Sequence, residues 1–202
     1  MSGKLSKFIL ALLFVFGNGF SGAVEVEDVQ SKIRGLNTNF NANFSYTSNQ
    51  GDEGMIYTGK IYYQYPNKLH VQLSDGRIIA TNGKYLWTYN PDTKICARQV
   101  VKEESTGGLF FFLHGGYSVQ EENDRYIFKR VGNSDYEVTI KIDGSTLKTV
   151  QWKIKDEIIN ISFSNVVTDT SMKSSLFNYK PDPEAQLIEN PLNRIAVVQG
   201  GS

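Results

Sequence analysis

Hydrophobic and polar residues alternate along most of this chain, with the period of two that is typical of β-strands with one buried face. The first such run covers residues 40–46, where aromatic residues and an alanine alternate with asparagine and serine. Later runs are bounded by Pro-Asn, Asp-Gly and Asn-Gly turn signals, and they cover residues 55–65, 69–73, 85–89, 95–101, 126–128, 136–142, 150–154 and 159–163. The pattern predicts a mainly β domain of about ten to eleven short antiparallel strands.

Two segments depart from this alternation. Residues 26–36 carry apolar side chains at spacings of three and four, which predicts one short amphipathic helix ending near Gly35. Residues 103–116 place glycine pairs on both sides of an apolar run, and we interpret them as a short helix or a lid loop. The tail over 181–202 contains Pro183 and Pro191 and ends in Gln199-Gly200-Gly201-Ser202, so we expect it to be partly irregular.

The first 23 residues have the layout of a secretory signal peptide. Lys4 and Lys7 precede an apolar run over 8–16, and Ser21 and Ala23 are small residues placed before a cleavage site. A membrane anchor is the alternative, but nine apolar residues are too few to cross a hydrocarbon core that needs about 20. We therefore predict export with cleavage near Ala23, one domain over 24–180, and the tail.

Charge and composition argue against several classes of function. Removal of the first 23 residues leaves 19 basic and 21 acidic side chains, so nothing attracts nucleic acid. Cys96 is the single cysteine, and we expect a buried, unreactive thiol. His70 and His114 belong to no metal-ligand spacing, and no nucleophile elbow or phosphate loop is present. We expect a non-enzymatic protein without a metal or cofactor, whose two Asp-Gly pairs are hairpin turns rather than calcium sites.

The aromatic residues of the alternating runs are expected to share one face of the sheet. The predicted helix and the 103–116 segment are the only elements available to cover that face. A sheet covered so incompletely would leave an apolar hollow suited to an oily ligand. Simple core packing is the alternative interpretation of each aromatic residue taken singly.

The order of these parts resembles a known family. The segment Asn82-Gly83-Lys84-Tyr85-Leu86-Trp87-Thr88-Tyr89-Asn90-Pro91, the earlier Pro66-Asn67 turn and the later Phe177-Asn178-Tyr179-Lys180-Pro181 are similar to the LolA family of periplasmic lipoprotein carriers. The resemblance implies a curved, incomplete antiparallel β-barrel, covered by short helices, whose apolar cavity receives the acyl chains of lipoproteins. It also implies loading by an inner-membrane ABC transporter resembling LolCDE, and it leaves open whether an outer-membrane acceptor resembling LolB receives the cargo.

One departure from the family concerns the lid. Well-studied members have an arginine before the Pro-Asn turn, where it helps to hold the lid closed, whereas this chain has Tyr65 facing the position of Ile33. A phenol cannot supply the charged fork of an arginine. We predict a monomer whose cavity and lid bind lipid through Val29, Ile33, Phe44, Tyr63, Tyr65, Val71, Trp87, Tyr89, Phe110, Phe112, Leu113, Ile140, Trp152 and Phe163. A carrier of another lipid and a periplasmic sensor or interaction module of the same fold are the alternatives.

Overall fold

One twelve-stranded sheet accounts for most of the structure. The computed structural model of the chain describes residues 38–49, 55–101, 117–133, 135–144 and 146–191. The strands are β1 (Phe40–Ser48), β2 (Met55–Gln64), β3 (Lys68–Leu73), β4 (Ile78–Thr81), β5 (Tyr85–Asn90), β6 (Ile95–Val100), β7 (Tyr117–Glu122), β8 (Arg125–Arg130), β9 (Tyr136–Asp143), β10 (Thr146–Ile154), β11 (Glu157–Thr168) and β12 (Gln186–Glu189). A 3-10 turn lies at Ser174–Leu176 within the described ranges. The predicted mainly β fold is confirmed.

The sheet is open and curved, with the strand order β12-β6-β5-β4-β3-β2-β1-β11-β10-β9-β8-β7. Two meanders, β1–β6 and β7–β11, stand side by side in it. They meet where β1 pairs antiparallel with β11, while the other edge of β1 pairs with β2. Only β12 runs parallel to its neighbour, β6, among the pairs that the structure describes. The first strand of the chain therefore lies in the middle of the sheet.

Gly59 in β2 is required by a close approach to β3. A Cβ atom at this position would lie 2.1 Å from the backbone oxygen of Gln72, closer than any side chain allows. Gly59 is also directly opposite Phe44 of β1 and Leu73 of β3. Because Gly59 has no side chain, the β2 backbone can lie close to the β3 backbone at Gln72.

The Asn82-Gly83 turn between β4 and β5 forms as its sequence predicts. Gly83 has a φ of 88°, in the region that favours glycine, and the Asn82 side-chain oxygen accepts the backbone N–H groups of Lys84 and Tyr85, both at 2.9 Å. The Asn82 amide also donates to the side-chain oxygen of Asn178 at 2.8 Å. An aspartate could form the turn but could not donate this second bond.

Several expectations fall on residues outside the described ranges. The amphipathic helix over 26–36, the 103–116 segment and the signal peptide all lie there. The tail after Pro181, expected to be partly irregular, contains β12. No helix in the described ranges combines the length and apolar character needed to span a membrane.

Candidate functional site

Buried apolar side chains from both meanders form one cluster on a single side of the sheet, which we call the inner face. Every strand except β6 and β12 contributes to it. Its members are Phe40, Ala42, Phe44, Tyr46, Ile61, Tyr63, Leu69, Val71, Leu73, Ile79, Leu86, Tyr117, Tyr126, Phe128, Val138, Ile140, Leu147, Val150, Trp152, Ile159, Ile161 and Phe163. The inner face is the apolar, aromatic surface that the alternating sequence predicts.

Six of the predicted lipid-binding residues meet on the inner face: Phe44, Tyr63, Val71, Ile140, Trp152 and Phe163. The register of β1 and β11 brings residues of the two meanders together, because Phe44 of β1 lies directly opposite Phe163 of β11 where the meanders meet. Phe40 joins this group, with its ring centroid 5.4 Å from that of Tyr63 and 6.1 Å from that of Phe163. Phe40 was not among the predicted site residues, although it begins the same alternating run.

The inner face carries no charge at neutral pH. Its tyrosine hydroxyls point to local acceptors, as Tyr63 donates to the carbonyl oxygen of Pro66 at 2.7 Å and Tyr126 to Glu121 at 3.3 Å. Burial raises the pKa of Tyr46 and that of Tyr117 to about 12. No lysine, arginine, aspartate or glutamate belongs to the described cluster. Such a surface can bind hydrocarbon.

The prediction that Trp87 and Tyr89 share this face is wrong. In β5 it is Leu86 that belongs to the inner face, while Trp87 lies opposite Ala80 on the other side of the sheet, here called the outer face. Alternation along β5 shows that Trp87 and Tyr89 point the same way, but it does not show which way. Residues of the C-terminal part of the chain cover Trp87 and Tyr89 on the outer face. The alternation within β5 contains no information about that contact.

A small second cluster lies on the outer face. Ala80, Trp87 and Cys96 are its buried members, and Tyr89 and Tyr179 pack against it. The Cys96 side chain is fully buried, and this burial raises the pKa of its thiol, so the predicted unreactive cysteine is consistent with its surroundings.

Residues 170–190, which we call the C-terminal clasp, cover this second cluster. The ring of Tyr179 lies 6.0 Å from that of Tyr89, and Arg98 forms two hydrogen bonds with Glu189, at 2.9 and 2.6 Å. The clasp continues as β12 along β6 and ends where Asn190 accepts the Val100 backbone N–H at 2.9 Å. Phe177, from the segment that carries part of the family resemblance, is 1% exposed.

A cavity of about 800 Å³ lies between the clasp and the outer face. His70 borders it, is 8% exposed, and hydrogen-bonds the backbone of Leu176 in the 3-10 turn. Its Nδ1 has no hydrogen-bond partner among the described residues, so Nε2 is the nitrogen that donates to Leu176. Burial lowers the pKa of His70, which keeps the ring neutral.

A separate groove of about 740 Å³ crosses the outer face near Gly59. Polar pairs such as Ser45 with Ser162 line it, together with three residues of the inner face, Phe44, Leu73 and Phe163. The inner face is larger and uncharged, and it is the candidate site for lipid.

Comparison with known proteins identifies the family. Residues 31–180 match the family model described as "Outer membrane lipoprotein carrier protein LolA". The chain belongs to the LolA family. The match covers both meanders and the clasp as far as Lys180.

Two relatives within the LolA family carry the name outer-membrane lipoprotein carrier protein. The protein from Serratia proteamaculans is 29% identical over 152 residues, covering 71% of this chain and 72% of the relative. The protein from Glaesserella parasuis is 25% identical over 203 residues, covering 93% and 97%. A solved Pseudomonas aeruginosa MucA/MucB complex contains a chain with the same fold, with a TM-score of 0.51 at 9% identity over 82% of this chain and 64% of that one.

The remaining predicted site residues divide into two groups. Tyr65, the residue that departs from the resemblance, is 44% exposed, and its backbone N–H donates to the Asn39 side-chain oxygen at 3.2 Å. It lies at the end of β2 and does not join the inner face. The proposed lid residues lie outside the described ranges: Val29, Ile33, Phe110, Phe112 and Leu113.

Proposed function

We propose that this chain is a periplasmic carrier that binds the acyl chains of lipoproteins on its inner face and shuttles them from the inner to the outer membrane. The inner face is the observation that carries the proposal, because it is continuous across both meanders, aromatic and uncharged. Membership of the LolA family and the names of the two relatives support lipoprotein as the cargo.

The energetics of acyl transfer explain what such a carrier requires. Burying an acyl chain stabilises a complex by about 0.8 kcal/mol per CH₂ group, so a chain of about 15 carbons contributes on the order of 12 kcal/mol before ordering costs. Cargo held this strongly does not leave a membrane for water unaided. Loading must therefore be driven, and unloading must go to an acceptor of equal or greater affinity.

The partners in the proposal follow from these two steps. An ATP-driven inner-membrane transporter resembling LolCDE loads the carrier, and a LolB-like acceptor at the outer membrane receives the cargo where one exists. The signal peptide over 1–23 delivers the carrier domain over 24–180 to the periplasm. Val29 and Ile33 of the first helix, with Phe110, Phe112 and Leu113 of the 103–116 segment, form a lid that opens and closes between the steps.

The proposed role is binding without catalysis. In the described ranges no three histidine, cysteine, aspartate or glutamate side chains come together in a way that could hold a metal ion. Cys96 and His70, which are both buried, lie on the outer face, away from the proposed cargo site. The inner face supplies mainly hydrocarbon and aromatic contacts.

Mass spectrometry of the protein purified from its native periplasm tests the proposal. Co-purifying triacylated lipoprotein is the expected result. Free lipid in its place would favour a carrier of another lipid. A protein that carries no lipid, and that takes up no acyl probe after delipidation, would favour a sensor or interaction module. The MucA/MucB complex shows that a chain of this fold can occur in a protein complex.

A further inference from the structure

Trp152 places a hydrogen-bond donor within the inner face. Its side chain is 5% exposed and lies in β10 between Val138 of β9 and Ile159 of β11. The indole Nε1 is buried and has no hydrogen-bond partner among the described residues. Because indole N–H is a donor only, the group that satisfies it must bring an acceptor.

The other polar groups of the inner face do not share this condition. The hydroxyls of Tyr63 and Tyr126 have acceptors at 2.7 and 3.3 Å, and Ser48 lies 3.5 Å from a carboxylate oxygen of Glu157. In the described part of the chain, the other buried side-chain atoms without partners belong to His70 and Thr170, which border the cavity under the clasp. Among the described residues of the inner face, Trp152 is thus the one with a buried donor, its indole N–H, that has no hydrogen-bond acceptor.

An unsatisfied buried donor in a native protein calls for an explanation. A buried tryptophan N–H ordinarily has an acceptor, and a phenylalanine would supply a similar apolar surface without the cost of an unpaired N–H. The explanation that fits the proposed function is that the acceptor arrives with the ligand.

The position of Trp152 in its strand indicates which part of a lipid would carry that acceptor. Trp152 lies two residues before the end of β10, near the turn at Lys155 and Asp156. Val150 and Leu147, which precede Trp152 in the same strand, contribute only hydrocarbon side chains to the inner face. A lipid whose tails lie along Val150 and Ile140 and whose head is at this end of the sheet would place its acyl carbonyl beside the indole.

We propose that the Trp152 Nε1–H donates a hydrogen bond to an acyl carbonyl oxygen of the cargo, so that the inner face selects carbonyl-linked chains over plain alkyl chains. The inference rests on the proposed lipid-carrier function. An ester or an amide carbonyl presents the same acceptor, and an ether oxygen is a weaker one that lies elsewhere along the chain.

A matched set of lipids tests the inference. Diacyl glycerol, its dialkyl ether analogue and an N-acyl amide of equal chain length would compete with a bound fluorescent hydrocarbon on the full-length protein. We expect the ester to bind about tenfold more tightly than the ether, the net effect of one buried hydrogen bond. The amide should match the ester, because both present an acyl carbonyl, and an amide that binds as weakly as the ether would overturn the inference.

Two tryptophan variants complete the design. In Trp152→Phe the ratio of ester affinity to ether affinity should fall to about one. Trp87→Phe, the matched control on the outer face, should keep the difference. NMR of the wild-type protein gives a readout independent of folding of the variants: of its two indole N–H resonances, only that of Trp152 should shift downfield with ester and not with ether.

Equal binding of ester and ether by the wild-type protein would overturn this inference alone, as would a difference that survives in Trp152→Phe. Such results would indicate that water satisfies the indole. Failure of the hydrocarbon probe itself to bind would instead overturn the proposed function.

Discussion

The hydroxyl of Tyr63 donates a hydrogen bond of 2.7 Å to the carbonyl oxygen of Pro66. It joins a buried residue of the inner face to the turn that follows β2. Tyr65 itself points outward, with 44% of its surface exposed. In this chain the residue that fixes the turn is therefore Tyr63.

Removing the Tyr63 hydroxyl should destabilise the fold. Tyr63→Phe keeps the ring but leaves the Pro66 carbonyl without its donor, so we expect the free energy of unfolding to fall by about 1 kcal/mol. Urea denaturation followed by fluorescence measures this. Tyr65→Phe is the matched control and should change the free energy of unfolding by less than about 0.5 kcal/mol. Equal effects of the two variants would contradict the assignment of the turn to Tyr63.

The first run of alternation shows how far the sequence predicts the site. In residues 40–46 apolar side chains alternate with asparagine and serine, and the apolar side chains are buried as expected. In β5 the residues on both faces of the strand are hydrophobic. Leu86 lies on the inner face and Trp87 on the outer face, so the apolar pattern does not distinguish the two faces. Which set faces the core depends on Tyr179, about ninety residues later, and no local pattern contains that contact.

The short strand β12 escaped prediction for a related reason. Its four residues do not alternate between apolar and polar, and none of them is fully buried, so their hydrophobic pattern carries little information. They form a strand because β6 offers a free edge and because Glu189 pairs with Arg98. Long-range pairing of this kind depends on the assembled sheet.

Acidic pH should weaken the clasp through His70. Burial holds the pKa of His70 below its ordinary value, so the folded state binds fewer protons than the unfolded state. Stability from the neutral ring is then present above the unfolded pKa of about 6.5 and is lost as pH falls through the lower folded pKa. Lys173 and Lys180 line the same cavity with Tyr62 and Tyr179, and no described carboxylate there would stabilise the imidazolium.

The comparison of wild type with His70→Gln between pH 7 and pH 5 checks this expectation. Glutamine can still donate to Leu176 but does not titrate, so the variant should lose less stability over this range. Hydrogen bonds from Arg77 and Lys141 lower the pKa values of Asp75 and Asp124, which moves the titration of these two aspartates away from this range. His114→Gln is the matched control, and a His70→Gln profile parallel to that of the wild type would refute the role of His70.

Loosening the clasp should expose Cys96. The thiol is fully buried beside Tyr179, and it is the only cysteine in the chain, so its labelling reports on this region alone. Tyr179→Ala should raise the rate of labelling by a thiol reagent at least about tenfold, because access and a lower thiol pKa both favour the reaction. Tyr65→Ala, an exposed tyrosine removed in the same way, should leave the rate unchanged. A slow, unaltered rate in Tyr179→Ala would show that the clasp does not protect the cysteine.

The proposed lid gives a direct test of acyl binding. Phe110→Asp places a charge where the proposal needs an apolar contact, so we expect loss of fluorescent acyl-probe binding with the circular-dichroism spectrum of the β-sheet retained. Three consecutive phenylalanines of a helix cannot all face the cavity, and Phe111 is expected to face outward. Phe111→Asp should therefore still bind the probe. Binding by both variants would remove the 103–116 segment from the site.

The pairing of β1 with β11 has a consequence for how the protein folds. The partner of the first described strand is made more than a hundred residues later, so the middle of the sheet cannot close until nearly the whole chain is available. Until then one edge of β1 is left without its strand partner, and such an edge can pair with another chain. We expect pulsed hydrogen exchange during refolding to show the β1–β11 amides protected last, with the first meander already formed. The centre of the finished protein would then be its last part to assemble, and the part most exposed to aggregation on the way.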